Sequence, residues 1–102
     1  MKIEKKSDGQ TLILTLKGRL DTTTAPALEA ELEDSLEGIT ELIWDFCQLD
    51  YISSAGLRVL LITQKKMNKQ GSMTVTGVKP MILEIFQTTG FADFLAIEKY
   101  NE

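Results

Sequence analysis

Histidine is missing from this chain of 102 residues, cysteine and tryptophan occur once each, and proline occurs twice. Without an imidazole there is no phosphohistidine relay, no Ser-His-Asp or Cys-His nucleophilic catalysis and no His-containing zinc site. A self-contained hydrolase is therefore not expected. Cys47 has no second cysteine to bridge, which points to a reducing compartment rather than a secreted disulfide scaffold. No apolar run approaches the roughly 18 residues of a membrane span, and no charged stretch followed by an apolar one opens the chain. A cytoplasmic protein without a membrane partner is expected. Basic charge is also scarce: 11 Lys and Arg face 15 Asp and Glu, a net charge of −4. Nucleic acid is disfavoured as the main partner, because phosphate binding needs a basic face.

What is present suits one domain over residues 1–102. At this length folding buries roughly 60–70% of the unfolded surface, enough for one core and no more. Lys2 to Lys6 reads as a short strand, Asp8-Gly9 as a hairpin turn, and Thr11 to Lys17 as a second strand with Leu12, Leu14 and Leu16 on one face. After Gly18, Asp21 to Thr24 supplies N-cap candidates, Pro26 fits a first helical turn, and Ala25, Leu28, Leu32 and Leu36 recur at helical spacing until Gly38. Glu41 to Cys47 is apolar on both faces except at Asp45, the pattern of an inner strand covered by helices. A second helix is expected from Ser53-Ser54 to Lys69, ending at Gly71, and Ser72 to Val78 reads as the next strand. Pro80 opens a third helix with Ile82, Ile85 and Phe86 on its core side, stopped by Gly90. Phe91 to Leu95 makes a further turn, and Ala96 to Tyr100 a last strand. This alternation predicts an α/β fold, a mixed, mostly parallel sheet of about five strands edged by the opening hairpin, with helices packed on it.

In such sheets the functional loops lie beyond the C-terminal ends of the parallel strands. Two loops qualify, Arg19 to Thr24 and Leu49 to Gly56. Ser53 is placed to cap the second helix, a role worth about 1 kcal/mol. Ser54 then takes the first helical position with its hydroxyl free, where the helix dipole and unsatisfied N–H groups tolerate a phosphate. Gly56 in the first turn sacrifices roughly 1 kcal/mol of helix propensity, so something is expected to approach its backbone closely. Asp21 is a second cap candidate. Asp45 is expected to bond a neighbouring loop, and Cys47 to act as a small core residue without function.

Charge is segregated along the chain. Residues 21–50 carry nine acids and no base, whereas residues 51–83 carry five bases and no acid. On the second helix Arg58, Ile62, Lys65 and Lys69 fall on one stripe, while Leu57, Leu60, Leu61 and Met67 turn to the sheet. The stripe reads as a solvated basic face or, more sharply, as a docking strip for an acidic partner.

Gly18-Arg19-Leu20-Asp21-Thr22, Leu42-Ile43-Trp44-Asp45-Phe46 and Tyr51-Ile52-Ser53-Ser54-Ala55-Gly56-Leu57 together resemble the bacterial anti-sigma factor antagonists of the STAS domain family. The resemblance implies a single non-enzymatic domain, without cofactor or metal, that binds an anti-sigma factor which is also a serine kinase. In that family the unphosphorylated antagonist frees the sigma factor, phosphorylation of a loop serine reverses this, and a serine phosphatase resets it. The phosphorylated serine corresponds to Ser54, with Ser53, in the place usually held by Asp, as the alternative acceptor. The implied partner surface comprises Asp21, Thr22, Ile52, Ser53, Ser54, Gly56, Leu57, Arg58 and Ile62, on a monomer or weak dimer. Two rivals remain. A receiver-like domain would phosphorylate Asp45 or Asp50, but its first strand lacks the carboxylate pair that would hold Mg²⁺. A STAS scaffold in a multi-subunit signalling complex would act without direct sigma factor control.

Overall fold

Two antiparallel strands open the chain, Lys2–Asp8 (β1) and Thr11–Leu20 (β2). The structure, a computed structural model, describes residues 1–100. Three strand–helix–strand units follow: Ala25–Ser35 (α1) leads to Glu41–Ile52 (β3), Ser54–Met67 (α2) to Ser72–Val78 (β4), and Pro80–Thr89 (α3) to Ala96–Lys99 (β5). The five strands lie in chain order, and β2 to β5 are parallel. Each crossover steps one strand in the same direction, so connections of the usual right hand put all three helices on one face. The mixed, mostly parallel sheet expected from the sequence is thus present.

One face of the sheet carries the core. Leu12, Leu14 and Leu16 from β2 and Leu42, Trp44 and Phe46 from β3 are buried against Leu28 and Leu32 of α1, Leu57 and Leu60 of α2, and Ile82 and Phe86 of α3. Trp44 and Phe46 meet edge to face, ring centroids 5.9 Å apart. The other face is uncovered. Ile13, Ile43, Asp45, Cys47, Thr74 and Thr76 are half-buried there. The expectation of helices over both faces of β3 is therefore corrected: Ile43 faces away from them and is half-buried between its strand neighbours Ile13 and Thr74. Cys47, expected in the core, also sits on this open face.

Several boundaries move. β2 runs on to Leu20 through Gly18, whose φ of +102° fits a bulge in the pairing. β3 extends five residues beyond Cys47 to Ile52, because two register shifts against β2 insert extra residues that break the strict alternation. Helix α2 ends at Met67 and β5 at Lys99. Leu61 and Ile85 are half-buried, and on α2 Val59, Thr63 and Gln64 fill the core positions beside Leu60.

Candidate functional site

The bulged ends of β2 and β3 rise together beyond the rest of the sheet. Arg19 pairs with Tyr51 and Leu20 with Ile52, so the β2–α1 and β3–α2 loops start side by side. The Arg19 guanidinium lies over the Tyr51 ring, 4.3 Å from its centroid, a cation–π contact that the local sequence does not announce. From the third strand end, the Lys79 ammonium reaches Asp50 at 3.2 Å. Three of the loops at the C-terminal end of the sheet are thereby linked.

In the β2–α1 loop Asp21 works as a turn builder. Its Oδ1 accepts from the Thr23 N–H at 3.0 Å, the Thr23 hydroxyl at 2.7 Å and the Thr24 N–H at 3.2 Å. The Thr23 hydroxyl bond, with the two backbone N–H groups behind it, holds the Asp21 carboxyl below its ordinary range. Thr24 is the actual N-cap of α1, yet its hydroxyl bonds backward, accepting from Asp21 N–H at 2.8 Å and donating to the Arg19 carbonyl at 2.9 Å. The expectation that Asp21 caps the helix is corrected accordingly. Its carboxylate is spent on the turn four residues ahead of α1, and its other oxygen lies 3.8 Å from Arg19 Nε.

The β3–α2 loop is built differently. Ser53 is the N-cap of α2 by position, with φ −99° and ψ 177°, but its hydroxyl makes no cap hydrogen bond. Its Oγ is shielded from solvent and has no partner. The backbone does the anchoring: Ser53 N–H donates to the Leu20 carbonyl at 2.9 Å, and the Ser53 carbonyl accepts from Leu57 N–H at 3.0 Å. Close packing completes the anchor. A Cβ on Gly56 would lie 2.7 Å from both Ile52 Cγ1 and Leu20 Cγ, so only glycine lets the first turn of α2 settle on the two strand ends. Ser54 follows as the first helical residue and is exposed.

A family profile for the STAS domain matches residues 2–101. The chain belongs to the STAS domain family. Its relatives include BtrV of Bordetella bronchiseptica, named an anti-sigma factor antagonist, at 37% identity over 99 residues, covering 95% of this chain and 84% of BtrV. The anti-sigma-B factor antagonist of Bacillus subtilis is 26% identical over 101 residues, covering 98% and 93%. Among solved structures, Bacillus SpoIIAA in its unphosphorylated form superposes with a TM-score of 0.83 at 19% identity, covering 96% of this chain and 89% of that one. The phosphorylated form of SpoIIAA gives 0.75, covering 96% and 92%. These likenesses establish the fold.

On this STAS domain the residues expected at the partner surface divide into two groups. Asp21, Thr22, Ser53, Ser54, Arg58 and Ile62 reach the surface to some degree, Ile62 with 49% of its area exposed. Ile52, Gly56 and Leu57 do not: Ile52 and Leu57 are 2% and 6% exposed and belong to the core beneath the loop. Their part is to hold the loop in place. Ser54, Arg58 and Ile62 fall at i, i+4 and i+8 of α2, so the serine heads the exposed stripe that includes Lys65. Asp45 accepts from Cys47 N–H at 3.0 Å at the first bulge of β3, a bond within its own strand where a neighbouring loop was expected. That carboxylate and partial burial raise the Cys47 thiol above its ordinary value, which favours the protonated form.

Proposed function

We propose that this STAS domain is an anti-sigma factor antagonist switched by phosphorylation of Ser54. Unphosphorylated, it binds an anti-sigma factor that is also a serine kinase and so releases the sigma factor; a serine phosphatase restores this state. The observation that carries the reading is the asymmetry between adjacent serines: the Ser54 side chain is exposed at the first position of α2, whereas Ser53 Oγ is shielded. Ser54 is therefore the acceptor. The protein receives the phosphate and performs no catalysis of its own.

A phosphate of about −1.5 to −2 charge at the helix N-terminus is tolerated by the α2 dipole, so the fold need not change. Its effect falls on the partner. It adds to the negative potential of Asp21 across the paired strand ends, while Asp50 is offset by Lys79. It also lies one helical turn before Arg58, at the i, i+4 spacing that favours an ion pair within the helix. The docking stripe then gains an anion at its head and loses a free cation. Ser54→Ala should bind the anti-sigma factor whether or not ATP is supplied, and Ser54→Asp should bind at least about tenfold more weakly, about 1.4 kcal/mol. Calorimetric titration of the two variants checks this, and equal binding by both overturns the switch. Mass spectrometry after incubation with ATP and the kinase should find the phosphate on Ser54.

A further inference from the structure

A groove of about 170 Å³ runs between α1 and α2 on the helical face. Each helix presents to it one stripe spaced i, i+3, i+4 and i+7, from Glu29 to the C-cap residue Leu36 on α1 and from Val59 to Lys66 on α2. Leu32, Leu36, Val59 and Thr63 are buried and form its floor. Ile62 stands on the rim, half exposed.

The two walls have opposite charge. Helix α1 carries Glu29, Glu31, Glu33 and Asp34 and no base, while α2 carries Arg58, Lys65 and Lys66 and no acid. Lys5 of β1 pairs with Glu31, but among the described residues no ion pair joins α1 to α2. A uniformly acidic partner laid along this groove would meet repulsion from Glu29 and Glu33. A uniformly basic one would meet repulsion from Lys66.

We infer that the α1–α2 groove is a self-association surface whose occupant is a second copy of this chain. A two-fold axis running along the groove sets the acidic α1 of each copy over the basic α2 of the other, and buries both Ile62 side chains near the axis. An axis across the helices would instead stack α1 on α1 and α2 on α2, like charge on like charge. Charge thus selects one arrangement of four helices. Its area is small: α2 is 14 residues long, about 20 Å, and two helices side by side span about 20 Å, giving about 400 Å² per copy. That lies at the low end for specific contacts, so the dimer is weak and concentration-dependent.

The contact uses Ile62, which the proposed partner surface also uses, so dimer and partner complex exclude each other. Sedimentation equilibrium of the protein alone tests it, and because no anti-sigma factor is present its failure leaves the Ser54 reading standing. At low salt and concentrations approaching roughly 1 mM the wild-type chain should dimerise, and about 1 M salt, which shortens the Debye length to about 3 Å, should dissociate it. Glu33→Lys and Lys66→Glu should each be monomeric, since each sets like charges across both halves of the contact. An equimolar mixture of the two should dimerise, because each half then pairs opposite charges. A wild-type chain that stays monomeric throughout overturns the proposal. So does a dimer that persists in both single variants, or a mixture that stays monomeric beside a dimeric wild type.

Discussion

At the β2–α1 junction Asp21, Thr23 and Thr24 bond one another and the surrounding backbone; one strand over, at the β3–α2 junction, the serines do not. The Ser53 hydroxyl has no partner, and what fixes that loop is backbone bonding to Leu20 and the contact of Gly56 with Leu20 and Ile52. A junction held by its own side chains has the hydroxyls that hold it, those of Thr23 and Thr24, committed. A junction held from beneath by packing leaves a hydroxyl at the surface, and Ser54 is that hydroxyl.

The largest expected effect therefore comes from the packing side. Gly56→Val puts a branched side chain where even a Cβ would sit 2.7 Å from Leu20 and Ile52. Overpacking of this kind costs about 1–3 kcal/mol, and for a domain near this size each kcal/mol lowers Tm by about 4–8 °C. Gly56→Ala should lose less, because about 1 kcal/mol of helix propensity is recovered. Thermal unfolding of both variants measures this, and a neutral Gly56→Val would show that packing does not hold the loop.

The order of elements along the chain and their buried faces were legible in the sequence because Leu12, Leu14 and Leu16, and Leu28, Leu32 and Leu36, keep strict periods. The strand ends that carry the site were not. Gln48 to Tyr51 breaks the period of two through bulges, and a bulge depends on the partner strand, which local spacing does not contain. For the same reason the Arg19–Tyr51 contact and the Asp50–Lys79 pair, made between strands and loops distant in sequence, left no signal. Ile52, Gly56 and Leu57 were carried into the partner-binding set by the resemblance because a motif transfers positions and not exposures, although the helical spacing already turned Leu57 to the sheet. Ser53 looked like a cap because Ser at that position usually is one; here its hydroxyl turns inward.

That last difference gives a paired prediction of intermediate size. Thr24→Val removes a hydroxyl that makes two close bonds, to Asp21 N–H and the Arg19 carbonyl, and should cost about 1–2 kcal/mol. Ser53→Ala removes a shielded hydroxyl without a partner, so it should be neutral within about 0.5 kcal/mol or stabilising, where a working cap would lose about 1 kcal/mol. Urea unfolding of the two variants compares the junctions directly. Equal losses at both positions would erase the distinction between them.

The smallest effect concerns the charge of Asp21. Its carboxyl is held below the ordinary value first by the Thr23 hydroxyl, then by the N–H groups of Thr23 and Thr24. A carboxyl lowered on folding contributes stability above its unfolded value, and that contribution disappears as pH falls through the lower folded value. Thr23→Val removes the leading donor while leaving its backbone N–H in place. The Asp21 titration, followed by carboxyl carbon NMR, should then move up toward the ordinary range without returning to it fully. The ionisation-dependent part of the Tm difference between the two proteins should be present at neutral pH and vanish once both carboxyls are protonated. An unmoved Asp21 titration would mean that the backbone alone sets its charge, and that the two junctions differ less than their hydroxyls indicate.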